Sequence, residues 1–221
     1  RTIKAGKWIN GVGRDRTGWN RWINANRDED QAEYWVEGLA SRTASVVNNG
    51  DPRPVFLYFA PGHDWQDPAP EFAGTHALAI LPMGPSFNEA DVSDKRWWND
   101  ERPLLGPVEI AQIETEYRTA RDTMESVASA IRTVVAAFDG TPTVFVIVSD
   151  NGYQRGEHRI PSGKGQHFEE STRVPLVFFG TGIPAGVRSE ALVYPLDLTA
   201  TVAELAGLTT PELDGRSLVP L

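Results

Sequence analysis

The stretch TVFVIVSDNG, residues 143–152 of the 221-residue chain, is the most informative part of the sequence. Residues 143–148 are apolar or β-branched throughout, a pattern that is typical of a strand buried on both faces of a sheet. Asp150 and Asn151 follow this strand almost at once. Because open α/β sheets bind their ligands at the carboxyl ends of the strands, we expect these two side chains to lie in a functional site.

Two other apolar runs, PVFLYFA at residues 54–60 and VPLVFF at residues 174–179, predict further buried strands. Residues 107–138 repeat apolar side chains at steps of three and four, which predicts a long amphipathic helix. Shorter helices are predicted over residues 30–47 and 196–206. Helices that alternate with buried strands indicate an α/β fold with a mostly parallel central sheet and helices on both faces.

The segment of residues 61–102 has a different character. It is rich in Pro, Gly, Asp and Trp, and it shows no sustained hydrophobic period. Long irregular segments inside compact domains usually carry function, so we expect a functional loop or insertion here.

Composition excludes several classes of protein. The chain has 21 Lys and Arg residues against 30 Asp and Glu residues, a formal charge of −9, which disfavours a nucleic-acid partner. It contains no apolar run of about 18 residues, the length of a membrane span, and it does not begin with a signal-peptide pattern. Because it has no cysteine, these residues hold no disulfide, no cysteine-ligated zinc and no cysteine nucleophile.

The residues after the central strand suggest chemistry. Asp150 and Asn151 pair a carboxylate with an amide oxygen, which suits a hard cation such as Ca²⁺ or Mg²⁺, although by themselves they fit an ordinary Asn-Gly turn better. Lys164 lies between two glycines and can reach an anion beside such a cation, although a solvent-exposed loop lysine is the alternative. The four histidines include no His-x-x-x-His pair, so a zinc site has little support.

Four motifs follow one another here, namely Ser149-Asp150-Asn151-Gly152, Gly156-Glu157-His158-Arg159, Gly163-Lys164-Gly165 and Arg173-Val174-Pro175. In this order and spacing they resemble the C-terminal signature of type I sulfatases, which belong to the alkaline-phosphatase-like superfamily. Further matches are Gly6-Lys7-Trp8, Phe56-Leu57-Tyr58-Phe59-Ala60-Pro61 followed by His63, Asp197-Leu198-Thr199-Ala200-Thr201 and Asp214-Gly215-Arg216-Ser217-Leu218. Pro85-Ser86-Phe87-Asn88-Glu89 with Asp94-Lys95 is similar to the N-acetylglucosamine-6-sulfatase branch. The resemblance covers nearly the whole chain.

The resemblance implies a role for five residues. Asp150 and Asn151 match ligands of the family's calcium ion. Lys164 matches the lysine that binds the sulfate oxygens, and Lys7 matches the lysine that neutralises charge beside the nucleophile. His63 matches the histidine that protonates the leaving-group oxygen.

The chain also departs from the family pattern. His63 is separated from Ala60-Pro61 by a glycine, and Ile9 stands where many sulfatases have a histidine. The Cys/Ser-x-Pro-x-Arg motif that yields the formylglycine nucleophile does not occur, and neither does the Asp-Asp pair of the calcium site. We therefore expect residues 1–221 to be the middle-to-C-terminal part of one catalytic domain, without the N-terminal nucleophile segment and the small C-terminal subdomain. The missing segment would leave an unpaired apolar sheet edge, which promotes aggregation.

The chemistry of sulfate esters agrees with this interpretation. Their cleavage builds negative charge on the sulfuryl oxygens and on the departing alcohol oxygen. A divalent cation and two lysines can offset the first charge, and a histidine acid can offset the second.

The resemblance thus implies a sulfatase that removes sulfate from a sulfated sugar, with Ca²⁺ (or Mg²⁺) and formylglycine as cofactors, in a secreted or periplasmic protein. The fragment alone is expected to be inactive. A phosphate- or phosphonate-ester hydrolase of the same superfamily and a non-catalytic sugar- or anion-binding descendant are the alternatives. Trp65, Trp97 and Trp98 either stack on sugar rings or pack beneath the long loop.

Overall fold

The computed structural model describes residues 1–7, 16–24, 35–62, 67–95 and 102–220. Its elements in chain order are β1 (Thr2–Gly6), β2 (Arg21–Ile23), α1 (Trp35–Val47), β3 (Phe56–Ala60), α2 (Pro107–Ala136), β4 (Val144–Val148), α3 (Glu169–Thr172), β5 (Leu176–Gly180) and α4 (Pro195–Leu205). The chain forms two compact units, Arg1–Phe178 and Phe179–Leu221. Within the described ranges no helix has the length and apolar character needed to cross a membrane.

β1 is the middle strand of a parallel three-stranded sheet with the order β2-β1-β3. The register pairs Ile3 with Leu57 and Gly6 with Ala60. Gly6 has a φ of 94°, and a Cβ at this position would lie 1.8 Å from the carbonyl oxygen of Ala60, so only glycine fits. This close approach brings the carboxyl ends of β1 and β3 together, where Lys7 leaves the sheet.

The main core lies where α1 and α2 pack against this sheet. Its buried residues are Ile3, Val36, Ala40, Val47, Ala130, Val134 and Phe138. β4 joins the same core through Phe145, whose ring meets that of Phe138 edge to face with centroids 5.8 Å apart. The α/β class with parallel strands is therefore confirmed, and the long helix begins at Pro107 as predicted.

The apolar run in β3 is less buried than its sequence predicts. Leu57 and Phe59 pack against the core, but Phe56 and Tyr58 are 44% and 42% exposed. Among the described residues the two helices cover only one face of this sheet, so the strand alternates between packed and half-exposed side chains. Trp19 shields the open face in part, with its ring 5.9 Å from that of Phe56.

β4 pairs with β5 in a second sheet, and within the described residues β3 and β4 are not paired. Val148 of β4 and Val177 of β5 are 42% and 49% exposed. Both strands were predicted to be covered on both faces. Their exposed valines show that the described elements leave part of this sheet open.

Residues 67–95 form no regular helix or strand, as predicted, and dock along α2. The buried carboxylate of Asp122 accepts hydrogen bonds from the backbone N–H groups of Gly74 and His76, each 2.7 Å long. Ser126 accepts a hydrogen bond from the N–H of Ala69 at 2.9 Å. Polar side chains of α2 thus accept hydrogen bonds from backbone N–H groups of a segment that forms no regular helix or strand.

The second unit joins two of the C-terminal sequence motifs. Asp197 accepts hydrogen bonds from the N–H groups of Tyr194 and Arg216, both at 2.9 Å, and these bonds lower the pKa of its carboxyl. Gly215 approaches α4 so closely that a Cβ would lie 2.2 Å from the carbonyl oxygen of Leu196. α4 is followed by Gly207 with a φ of 64°, in agreement with the predicted glycine cap.

Candidate active site

The candidate site lies at the carboxyl ends of the parallel strands. Lys7 follows β1 directly, and its N–H donates a hydrogen bond of 2.7 Å to the carbonyl of Ala60 at the end of β3. A Cβ added at Gly62 would lie 3.8 Å from Cβ of Lys7, so the loop after β3 passes beside this lysine. His63, the next residue in that loop, lies outside the described residues.

Lys7 forms an ion pair with Asp150, which follows β4. Nζ of Lys7 lies 3.0 Å from Oδ2 of Asp150, although 143 positions separate the two residues in sequence. Burial opposes ionisation of Asp150, but the hydrogen bond and charge of Lys7, with the charge of Lys164, hold the pKa of its carboxyl below the ordinary value. The pair is open to solvent, with side chains 44% and 65% exposed.

Lys164 meets the next residue of the same motif. Its Nζ donates a hydrogen bond of 2.9 Å to Oδ1 of Asn151. Lys164 is exposed, and its neighbours Gly163 and Gly165 have φ values of 150° and 86°, which glycine adopts most readily. The glycines therefore shape the turn that presents this ammonium group beside Asp150 and Asn151.

A buried glutamine holds the loop between Asn151 and Lys164. The N–H of Gln154 donates a hydrogen bond of 2.8 Å to the carbonyl of Gly163, and its Oε1 accepts one of 3.0 Å from Ser171. Gln154 is completely buried. Gly152 lies so close to α3 that a Cβ would be 2.0 Å from the carbonyl oxygen of Glu170. Sequence reasoning did not single out Gln154, since no local pattern marks a glutamine as buried.

The GEHR motif, residues 156–159, contacts the segment of residues 86–89. The ring of His158 lies between two carboxylates, with Nδ1 2.9 Å from Oε2 of Glu89 and Nε2 3.4 Å from Oε2 of Glu170. The ring also stacks on Phe168 with a centroid separation of 3.9 Å. The motif alone assigns His158 no chemical role, but the structure makes it the centre of a partly buried cluster.

Arg159, the last residue of the motif, joins residues 89 and 90 to residue 102. Its guanidinium donates hydrogen bonds of 2.7 to 2.8 Å to the backbone carbonyls of Glu89, Ala90 and Arg102. Two further hydrogen bonds join the same parts of the chain, between the side chain of Asn88 and the backbone of Leu105. Arg159 thus joins the chain before residue 96 to the chain after residue 101. Trp97 and Trp98, which come between these points in sequence, lie outside the described residues, as does Trp65.

The site carries the charge that an anion requires. Two ammonium groups converge on one carboxylate and one amide, so these four side chains bear a net positive charge at neutral pH. Both lysines and Asp150 are accessible to solvent. An anionic group can therefore approach two cations at the end of the sheet.

The described residues supply only part of a calcium site. Asp150 and Asn151 offer the carboxylate and amide oxygens that Ca²⁺ prefers, but the ion takes about six to eight oxygen ligands. Within the described ranges no group of three or more acidic or histidine side chains could hold a metal ion. A calcium ion would need further ligands. In this structure Oδ2 of Asp150 accepts a hydrogen bond from Lys7, and Oδ1 of Asn151 accepts one from Lys164.

The structure brings together Lys7, Asp150, Asn151 and Lys164, four of the five residues that the sequence singled out for the site. Their chemical roles stay predictions. The fifth residue, His63, lies outside the described residues, as do Ile9 and its neighbour Asn10.

Comparison with protein families finds a match over most of the chain. The model of the sulfatase family matches residues 12–208.

The chain is also similar to individual proteins. It is 25% identical to the N-acetylglucosamine-6-sulfatase of Homo sapiens over 257 residues, which cover the whole chain and 46% of that protein. It is 28% identical over 187 residues to the extracellular sulfatase SULF-1 homolog of Drosophila melanogaster, covering 81% of the chain and 17% of that protein. The chain thus spans less than half the length of these relatives.

A solved structure has the same fold. It is a protein in complex with its substrate D-glucosamine-2-N,6-O-disulfate, and it superposes with a TM-score of 0.75 at 18% sequence identity. The match covers 100% of this chain and 61% of the other. The incomplete α/β fold that the sequence predicted therefore corresponds to part of a larger known architecture.

Proposed function

Because this chain belongs to the sulfatase family, we propose that its protein is a sulfuric ester hydrolase that removes sulfate from a sulfated sugar. One observation carries the proposal beyond family membership. Two lysines, Lys7 and Lys164, converge at the carboxyl edge of the sheet on Asp150 and Asn151. A sulfate ester is an anion, and its hydrolysis increases the charge on the sulfuryl oxygens, so paired ammonium groups favour the transition state.

Each residue has a proposed task. Lys164 binds the sulfuryl oxygens, and Lys7 offsets charge beside the nucleophile. His63 donates a proton to the departing alcohol oxygen, which the position of Gly62 beside Lys7 supports. Asp150 and Asn151 contribute two oxygen ligands to a Ca²⁺ or Mg²⁺ ion, whose charge would polarise the sulfuryl group when bound.

The nucleophile is proposed to come from another part of the protein. The chain holds no Cys/Ser-x-Pro-x-Arg motif, and it spans less than half of its curated relatives. We assign residues 1–221 to the middle-to-C-terminal part of a catalytic domain whose N-terminal segment carries the formylglycine. The name of the Drosophila relative, an extracellular sulfatase, supports an exported protein.

The proposed substrate class is a 6-sulfated N-acetylhexosamine within a glycan. Two comparisons support it, since a human relative is an N-acetylglucosamine-6-sulfatase and the similar solved structure holds a 6-O-sulfated glucosamine. The segment of residues 85–89 that resembles this branch of sulfatases lies against the GEHR loop of the site, as the 2.7 Å hydrogen bond from His158 N–H to the carbonyl of Ser86 shows.

The test measures release of inorganic sulfate from 4-nitrophenyl sulfate and N-acetylglucosamine 6-sulfate by the full-length protein. We expect turnover, and we expect Lys164→Ala to lower kcat/KM by about 10²- to 10³-fold, the usual loss for one group that stabilises transition-state charge. Arg188→Ala is the control, since Arg188 is an exposed residue that pairs with Glu190 at 2.8 Å.

Two results would contradict the proposal. Hydrolysis of 4-nitrophenyl phosphate without hydrolysis of either sulfate ester would indicate a phosphate-ester hydrolase of the same superfamily. Binding of sulfated sugars without turnover of any ester would indicate the non-catalytic alternative. The isolated 221-residue chain is expected to release no sulfate in this assay.

A further inference from the structure

His158 lies at the centre of a partly buried cluster that joins three segments of the chain. Its imidazole is 12% exposed and contacts Glu89 through Nδ1 and Glu170 through Nε2. Oε2 of Glu170 lies 3.4 Å from the ring, without a hydrogen bond to any described residue, and Oε1 of Glu170 accepts a hydrogen bond of 3.0 Å from Ser86. The cluster therefore ties the segment of residues 86–89 to α3 in two ways, through the His158 ring and through the direct hydrogen bond from Ser86 to Glu170.

The same cluster contacts the candidate site through Glu170 of α3. The backbone of Glu170 is in contact with Gly152, the residue after Asn151, and leaves no room for a Cβ there. Ser171, the next residue of α3, accepts a hydrogen bond from the N–H of Gly152 through its carbonyl and donates one to Gln154 through its hydroxyl. Gln154 in turn binds Gly163, which precedes Lys164. α3 thus contacts the start of the loop that connects Asn151 to Lys164, and it reaches the far end at Gly163 through Gln154.

The backbone in this loop adopts a conformation that side chains rarely favour. His158 and Arg159 are consecutive non-glycine residues with φ values of 53° and 60°. Such left-handed residues cost free energy and persist only where surrounding contacts hold them. Here the contacts are those of the His158 ring and of the Arg159 guanidinium, so the side chains hold the loop against its own backbone preference.

We propose that His158 is a positioning residue of the candidate active site. Its ring links Glu89 to Glu170, and this link sets the position of Lys164. This inference rests on the proposed function only for its consequence, the binding of sulfate by Lys164. The position of Lys164 itself is a separate property and can be measured without any substrate.

The first measurement is the acetylation rate of individual lysines in the full-length protein, read by peptide mass spectrometry. In the wild type, Lys164 is held by its hydrogen bond to Asn151. The His158→Asn variant keeps a residue type that tolerates positive φ and keeps the backbone hydrogen bond to Ser86, but it removes the ring. We expect acetylation of Lys164 to rise about three- to tenfold in this variant, the size of a typical coupling through a contact network.

Internal controls separate repositioning from general loss of structure. Lys4 is buried, so partial unfolding would raise its acetylation rate together with that of Lys164. His76→Asn is the matched variant, because His76 also pairs with a glutamate, at 3.1 Å. That glutamate is Glu125 of α2, which is not part of the loop between Asn151 and Lys164. Its Lys164 rate should equal that of the wild type. If His158→Asn does not fold, Glu89→Gln takes its place with the same criterion.

A wild-type acetylation rate at Lys164 in the folded His158→Asn variant would overturn the inference, and so would a parallel rise at Lys4. The second measurement is the affinity for inorganic sulfate, which we expect to fall about threefold or more in the variant. If the wild type hydrolyses no sulfate ester, the proposed function fails, while the acetylation rates still decide the role of His158.

Discussion

Three lysines of this chain show how their surroundings determine what one side-chain type does. Lys7 and Lys164 donate hydrogen bonds to Asp150 and Asn151 at solvent-exposed positions. An exposed ion pair adds only roughly 0–1 kcal/mol to stability. We propose that their contribution is functional instead, because they place positive charge where an anion can bind. Lys4 is instead 2% exposed, with its Nζ over the ring of Trp22 at 4.3 Å and donating to the carbonyl of Gly6.

We predict that Lys4→Met stabilises the protein at neutral pH. Burial disfavours the charged ammonium group and lowers the pKa of Lys4, and within the described part of the chain no carboxylate pairs with it. Methionine has a similar length and carries no charge, so the variant should gain about 1–2 kcal/mol in the free energy of unfolding. Urea unfolding at pH 7 measures this difference.

The advantage of Lys4→Met should shrink as the pH rises. Because the folded-state pKa of Lys4 lies below the unfolded-state value, the unfolded chain binds more protons between the two values, and the wild type gains stability with pH in that window. Lys95→Met is the control, since hydrogen bonding to Asp94 raises the pKa of Lys95 and its loss should destabilise. A constant or growing advantage toward pH 10 would contradict the prediction.

At the scale of elements, α3 has only four residues and yet packs against the start of the loop that connects Asn151 to Lys164. Its backbone lies against Gly152, and we predict that Gly152→Ala displaces the loop that bears Lys164. The added Cβ would lie 2.0 Å from a backbone oxygen, which no side-chain rotation can relieve. We expect a loss of more than about 2 kcal/mol in stability, together with loss of sulfate binding.

Gly84→Ala is the matched control for this prediction. Apart from its chain neighbours, no atom of the described residues lies within 4 Å of a Cβ built at Gly84, so this variant should unfold at the wild-type urea concentration. Equal stability of the two variants would show that the contact between Gly152 and Glu170 is not as close as described.

α2 stabilises the irregular segment of residues 67–95 through its polar side chains. We predict that Asp122→Ala costs about 1–3 kcal/mol, because it leaves the N–H groups of Gly74 and His76 without their acceptor. Asp139→Ala is the control, since that carboxylate is exposed and accepts a hydrogen bond from the N–H of its neighbour Gly140. Limited proteolysis should cut residues 67–79 faster in the Asp122 variant, and an unchanged rate would argue against this anchoring.

At the scale of the whole molecule, apolar side chains remain open on both sheets. Phe56, Tyr58, Val148 and Val177 are each more than 40% exposed, and β3 and β4 are not paired within the described residues. Open strand edges and exposed apolar patches favour association.

We therefore predict that the isolated 221-residue chain self-associates or melts without a sharp transition, whereas the full-length protein remains monodisperse. Light scattering after size exclusion and calorimetry measure the two properties. A single cooperative melt of a monomeric isolated chain would show that the open surfaces are tolerated, and the proposed need for a further segment of the sheet would lose its support.

Much of the fold could be predicted because helices and buried strands depend on local periodicity. α2, α4, β4 and β5 lie close to their predicted bounds. β1 and β2 were not predicted, since β1 contains a lysine in place of an apolar residue and β2 has only three residues. Neither strand is apolar enough by itself to be distinguished from a loop.

The sequence alone determined which chemical groups the protein has and the order of its motifs, and through them its family. Only the tertiary structure decided which of these groups meet, because a contact such as that between Lys7 and Asp150 spans 143 positions and depends on the parallel arrangement of strands. The same holds for His158 between Glu89 and Glu170. Local sequence specifies the conformation of a segment, whereas the packing of segments from distant parts of the chain brings their side chains together.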